Sequence, residues 1–127
     1  MQPKKILIVD DSKVAAMTQQ LILRAFRGCE VITAEDGIKG VEKAVAEQPD
    51  LILMDVVMPR MNGFEACRLI RGHEATESIP IIMVTTRSEP THVDEGFASG
   101  CTDYIFKPID TAQLLEKIEK LADDRQR

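Results

Sequence analysis

Short apolar runs of strand length alternate with segments of helical period five times along this chain, a pattern that leaves few folds open. Ile6-Leu7-Ile8-Val9 begins the series. Val14, Met17, Leu21 and Ala25 then recur at three or four residues, and Ser12 stands where a helix N-terminus needs a side-chain acceptor. Cys29 to Ala34 gives a second strand rich in β-branched residues, and Ile38, Val41 and Val45 mark the second helix. Pro49-Asp50 turns the chain into Leu51-Ile52-Leu53-Met54, and a third helix follows Asn62-Gly63 with Ala66, Cys67 and Ile70 on its inner face. Ile81-Ile82-Met83-Val84 is apolar at every position, as suits a parallel strand covered on both faces. The fourth helix is the weak one: Pro90 suits its first turn, but Gly96 interrupts it, and Val93 with Phe97 leave a thin apolar stripe, so it is expected to be mobile. Tyr104-Ile105-Phe106 makes the fifth strand, and Asp110 with Gln113 forms a capping box for a last helix carrying Leu114, Ile118 and Leu121.

Strict alternation of this kind predicts an α/β fold, a parallel sheet with helices on both faces and right-handed crossovers. With 127 residues the chain fills one domain, its core over about 4–122, and ends in the polar stretch Asp123 to Arg127. In such a sheet, ligand chemistry belongs at the carboxyl ends of the strands, where the strand order reverses. Asp10, Asp11, Asp55, Thr85 and Lys107 all follow a strand there. A dinucleotide site is excluded, because Asp10-Asp11-Ser12-Lys13 occupies the place of the glycine-rich turn.

If the first and third runs are neighbours, three carboxylates meet at one edge. At about 4 Å and an effective dielectric of about 20, each ionised pair costs roughly 4 kcal/mol, which calls for a cation. The rest of the composition argues mainly by exclusion. Sixteen Lys plus Arg against 21 Asp plus Glu, with no basic stripe, disfavour direct nucleic-acid binding. Lys4-Lys5 precede only four apolar residues, too few for a signal peptide or a membrane span, so a soluble, cytoplasmic protein is expected. Cys29, Cys67 and Cys101 are too widely separated for a zinc or disulfide framework and read as reduced, buried hydrophobes. His73 and His92 lack metal-ligand spacing, and Met58 and Met61 read as gap fillers.

Four segments taken in order give a more specific reading: Val9-Asp10-Asp11, Asp55-Val56-Val57-Met58-Pro59-Arg60-Met61-Asn62-Gly63, Val84-Thr85, and Tyr104-Ile105-Phe106-Lys107-Pro108. With them the chain resembles a response-regulator receiver domain of two-component signalling over essentially its whole length. The resemblance implies a doubly wound, flavodoxin-like or CheY-like sheet of order 2-1-3-4-5 with five helices. It implies that Asp55 takes a phosphoryl group from a histidine kinase or phosphotransfer protein. An ionised, exposed carboxylate suits that attack once a metal has neutralised the phosphoryl oxygens. Asp10, Asp11, Asp55 and the Val57 backbone carbonyl would hold the metal, and an all-oxygen site of this kind fits Mg²⁺, with Mn²⁺ as a substitute. Lys107, before a Pro108 that the resemblance makes cis, would pair with the phosphoryl group after transfer. Thr85 and Tyr104 would act as the switch that remodels the face of the fourth helix, fifth strand and fifth helix toward a protein partner, in a monomer or a phosphorylation-dependent dimer.

Taken singly, these residues have plainer readings. Asp10 and Asp11 could cap a helix, Lys107 could be a solvated strand-end lysine, Thr85 could begin a loop, and Tyr104 could be a half-buried packing residue. Val57 offers no polar group to orient an attacking water, and Arg87 could screen the phosphoryl group, so self-dephosphorylation is expected to be slow to moderate. A phosphatase acting on external substrates would need a second acid where Val57 stands, so no enzyme in that sense is expected. The alternative is the detached receiver of a longer DNA-binding regulator or hybrid kinase.

Overall fold

Local signals set the starts of four helices, through side chains that cap them. The computed structural model describes residues 3–86 and 91–125. Its strands are β1 (Lys5–Val9), β2 (Glu30–Ala34), β3 (Leu51–Asp55), β4 (Ile81–Thr86) and β5 (Asp103–Lys107). Its helices are α1 (Lys13–Arg27), α2 (Gly37–Glu47), α3 (Gly63–Arg71), α4 (Thr91–Ser99) and α5 (Thr111–Arg125). Ser12, Asp36 and Asp110 each accept a hydrogen bond from the backbone N–H three residues on. Asn62 and Glu65 form a reciprocal capping box at α3 that the sequence spelled and the reading above did not use.

The sheet has the order β2-β1-β3-β4-β5 with every pair parallel, as the resemblance implies. Both faces are apolar because both are covered. Leu7, Val9, Ile52, Met54, Ile81 and Met83 pack toward α2 and α3, where Ala66, Cys67 and Ile70 are fully buried as expected. Ile6, Ile8, Leu53, Ile82 and Ile105 pack toward α1 and α5, meeting Leu23, Leu114, Ile118 and Leu121. All three cysteines are buried thiols outside any disulfide, and burial pushes the Cys101 thiol up to about 12, which suits an inert packing role. Met58 is buried and Met61 packs against the same core.

Two differences from the pattern matter for the site. The periodic stripe that marks α1 faces away from the core: Val14, Met17 and Leu21 are 77%, 60% and 64% exposed, and Ala16, Gln19 and Leu23 form the packed face. Strands β4 and β5 also run past their apolar cores, so Thr85 and Lys107 are strand residues, Thr85 paired with Phe106 and Thr86 with Lys107. In α4 the inner residues are Gly96 and Ser99, and a Cβ at Gly96 would sit 3.3 Å from the Cys101 sulfur. The glycine that weakens this helix therefore lets it lie close on the core. Pro90 and Arg87 lie outside the described residues, as does the His92 side chain, and His73 is exposed.

Arg71 ties the far side of the sheet together. Its guanidinium donates to the carbonyls of Gly100 (2.8 Å), Ile79 (2.7 Å) and Glu77 (3.2 Å), joining α3 to the turns before β4 and β5.

Candidate functional site

Because β1 and β3 pair in parallel with Val9 opposite Met54, the next residues, Asp10 and Asp55, end adjacent strands side by side. β4 lies on the other flank of β3 with Val84 opposite Asp55, which brings Thr85 to the same edge. Lys107 ends β5, and its ammonium reaches back to lie 3.3 Å from Asp55 Oδ1 and 3.6 Å from Asp10 Oδ2. One oxygen from each of Asp10, Asp11 and Asp55 falls within 4.8 Å of the others. The bond between Lys107 and Pro108 is cis.

The acids are not equally wet. Asp11 is exposed, whereas Asp10, Asp55 and Thr85 are 4%, 7% and 3% exposed. This corrects the expectation of an exposed Asp55. The start of α3 is tied back to the end of β3 by the Gly63 N–H donating to the Val56 carbonyl at 2.9 Å. Burial, with Asp10 beside it, pushes the Asp55 carboxyl up to about 6, against the pull of Lys107. Without a further cation the Asp55 carboxyl is thus partly protonated near pH 6.

The donor set tests what could fill the gap. It consists of hard carboxylate oxygens with neither sulfur nor imidazole among the described residues, and three acids face one ammonium. That suits a small divalent oxygen-seeking ion, which would restore Asp55 to its ionised form. Val57, two residues past Asp55, carries an exposed side chain at the rim.

Tyr104 sits half-buried on β5, three residues before Lys107. Its ring meets Phe97 and Phe106 edge-on at 5.5 and 5.3 Å, and the Lys117 ammonium lies 5.8 Å from its centre. Lys117 is itself held by both carboxylate oxygens of Asp103 at 3.0 Å. Packing and switch roles are compatible in such a place.

The sequence pattern of the response regulator receiver domain matches residues 6–119. The chain belongs to this family. The receiver domain is 42% identical to the protein PilH of Pseudomonas aeruginosa, covering 90% of this chain and 93% of that one. It is 38% identical to the DNA-binding transcriptional regulator RpaA of Synechocystis, covering 92% of this chain but only 48% of RpaA. Among solved structures, the receiver domain of the sensor histidine kinase PA1611 of P. aeruginosa superposes with a TM-score of 0.85 at 32% identity, covering 92% of this chain and 95% of that one. That structure holds a magnesium ion coordinated in its active site cleft.

Two residues packed against the receiver site, Gly63 and Gln19, were given no part in it by the sequence reading. Gly63 lies so close to β3 that an added Cβ would stand 2.3 Å from the Asp55 carbonyl oxygen; its place just after Asn62 was the available signal. Gln19 is a buried amide whose nitrogen lies 3.4 Å from Asp10 Oδ2, and its signal was a polar residue on the helix face shared with Ala16 and Leu23.

Proposed function

We propose that this receiver domain is a protein-interaction switch set by phosphorylation of Asp55. The observation behind it is the convergence of Asp10, Asp11, Asp55 and Lys107 at one sheet edge. In the transfer, an Asp55 carboxylate oxygen bonds to phosphorus as the bond from phosphorus to the donor's histidine nitrogen breaks, and the imidazole leaves with that electron pair. Mg²⁺, with Mn²⁺ as a substitute, would be held by Asp10, Asp11, Asp55 and the Val57 carbonyl and would supply neutralisation of the phosphoryl oxygens. Lys107 then exchanges its carboxylate partners for a phosphoryl oxygen, and the Thr85 hydroxyl donates to another. Moving a two-state balance from 1:99 to 99:1 takes about 5.5 kcal/mol, within reach of a few charge-assisted hydrogen bonds at roughly 1.5–3 kcal/mol each. Tyr104 carries the change to the α4–β5–α5 face, where Phe97 is 48% exposed, and so to a downstream partner.

The donor is a histidine kinase or phosphotransfer protein, and the exposed ridge of α1 supports a place for it. Val14, Met17 and Leu21 are exposed on α1, the helix that begins two residues past Asp11, and Val57 is exposed two residues past Asp55. Burying such a ridge favours docking. Met17→Lys with Leu21→Lys is expected to slow transfer from a purified histidine phosphotransfer donor at least tenfold, leaving phosphorylation by acetyl phosphate within twofold. Equal slowing with both donors would refute the docking role.

The domain acts on itself alone, assisting its own phosphorylation and hydrolysis. Val57 and Arg87 support a slow to moderate loss of the phosphoryl group. Val57→Asn with Arg87→Glu is expected to shorten its lifetime severalfold, and an unchanged lifetime would contradict this. No helix of the described residues is long and apolar enough to cross a membrane, which is compatible with action in the cytoplasm. A second reading, the receiver portion of a larger regulator or hybrid kinase, is supported by the longer RpaA and by the kinase to which the PA1611 receiver belongs. Incubation with acetyl phosphate and Mg²⁺ tests the core proposal: the mass of one phosphoryl group should be gained, and chelation or Asp55→Asn should prevent it.

A further inference from the structure

We propose that Gln19 is a positioning residue for Asp10, holding its carboxylate in the orientation that a divalent ion requires. The inference rests on the reading of the acidic cluster as a cation site and concerns a residue outside the cluster itself. Gln19 occupies the inward face of α1 between Ala16 and Leu23, and at 2% exposure it is as buried as the core around it. An apolar side chain of similar length would fill this place without desolvating an amide. The amide is only half satisfied: Nε2 faces Asp10 Oδ2 at 3.4 Å, and Oε1 has no hydrogen-bond partner among the described residues. Since an ionised carboxylate only accepts, the NH₂ end must be the one turned toward Asp10. The unpartnered oxygen is a cost that the contact with Asp10 helps to offset.

Asp10 is steadied on both oxygens. The Ser12 N–H donates to Oδ1 at 2.9 Å, while Oδ2 lies between Gln19 and the Lys107 ammonium at 3.6 Å. Gln19 and Lys107 also line one cavity of about 230 Å³ between α1 and the turn after β5, together with Ala15, Thr18, Pro108 and Ile109. Gln19 therefore borders both the carboxylate and the side chain expected to leave it. When Lys107 turns to a phosphoryl group, the amide is the contact that Oδ2 retains. Groups that orient a metal ligand from behind commonly alter metal affinity about 10–100-fold when removed, and this long contact belongs near the lower bound.

The test uses Gln19→Met, which keeps length and burial but lacks the N–H, with Gln19→Leu as a second variant. Mn²⁺ binding is followed by the electron paramagnetic resonance of the free ion, and thermal unfolding is measured in chelator. The expected result is a Kd for Mn²⁺ raised about tenfold with a Tm equal to or above that of the parent. A merely structural glutamine would lower Tm when replaced. Kd within twofold of the parent in both variants, or a rise in Kd accompanied by a fall in Tm in both, overturns the proposal. If the parent itself binds no Mn²⁺, the reading of the acidic cluster falls along with it, an outcome distinct from parent binding that Gln19→Met leaves unchanged.

Discussion

Asp55→Asn is expected to make the metal-free protein more stable at pH 7.5, by about 1–3 kcal/mol, while abolishing phosphorylation. The reason is the energy held at a buried acid. The Asp55 carboxyl lies at about 6 in the folded protein against an ordinary 3.8, chiefly through burial and then through the neighbouring Asp10. At roughly 1.4 kcal/mol for each pH unit, that difference amounts to about 3 kcal/mol. Its sign follows from proton binding: between the two values the folded chain holds a proton that the unfolded chain has released. Stability from this group is intact below about pH 4 and is lost as pH rises through about 6. An asparagine has no charge to desolvate and loses nothing over that window. Urea unfolding in chelator from pH 4 to 7.5 should show a gap between the two proteins that opens with pH, and saturating Mg²⁺ should close it. A gap that does not change with pH would mean that the carboxyl titrates normally.

Gly63→Ala is expected to destabilise the fold by about 3 kcal/mol and to slow phosphorylation by acetyl phosphate by roughly 100-fold. The added methyl would stand 2.3 Å from the Asp55 carbonyl oxygen and 3.0 Å from Val56 Cα. Both are backbone atoms at the end of β3, so no rotamer change relieves the overlap. Either α3 retreats or the strand end carrying Asp55 moves, and a displacement of about 1 Å at a reacting group costs about two orders of magnitude in rate. Gly72→Ala serves as the control, since its nearest atom would be 3.4 Å away, and it should leave the rate unchanged. Normal kinetics in Gly63→Ala would show that the strand end tolerates movement.

The sequence made some of this legible and concealed the rest for physical reasons. Apolar runs such as Leu51 to Met54 identify strands because a two-sided parallel sheet needs both faces apolar. Which strands adjoin is not a local property, so the meeting of Asp10 with Asp55 followed from the family resemblance rather than from periodicity. In α1 two stripes share one helix, and counting apolar residues selected Val14, Met17 and Leu21, the outward one. The inward stripe was hidden because Gln19 interrupts it. α2 and α4 turn Gly40 and Ala44, or Gly96 and Ser99, toward the core, small residues that permit close approach but barely register in a hydrophobic pattern. The burial of Asp55 was equally invisible, since it is set by tertiary packing at the end of β3 and not by the local sequence. Arg87, offered as a screen for the phosphoryl group, falls outside the described residues, so only its chemistry supports that role.

The most direct measurement is chemical trapping of the phosphorylated residue. The protein, treated with acetyl phosphate and Mg²⁺ and then reduced with borohydride, should yield homoserine at position 55 in the peptide that follows Leu51-Ile52-Leu53-Met54. The same treatment in chelator should leave Asp55 intact. Homoserine at another aspartate, or trapping that proceeds equally well without a divalent ion, would contradict the assignment of Asp55 as the acceptor within a cation-assisted cluster.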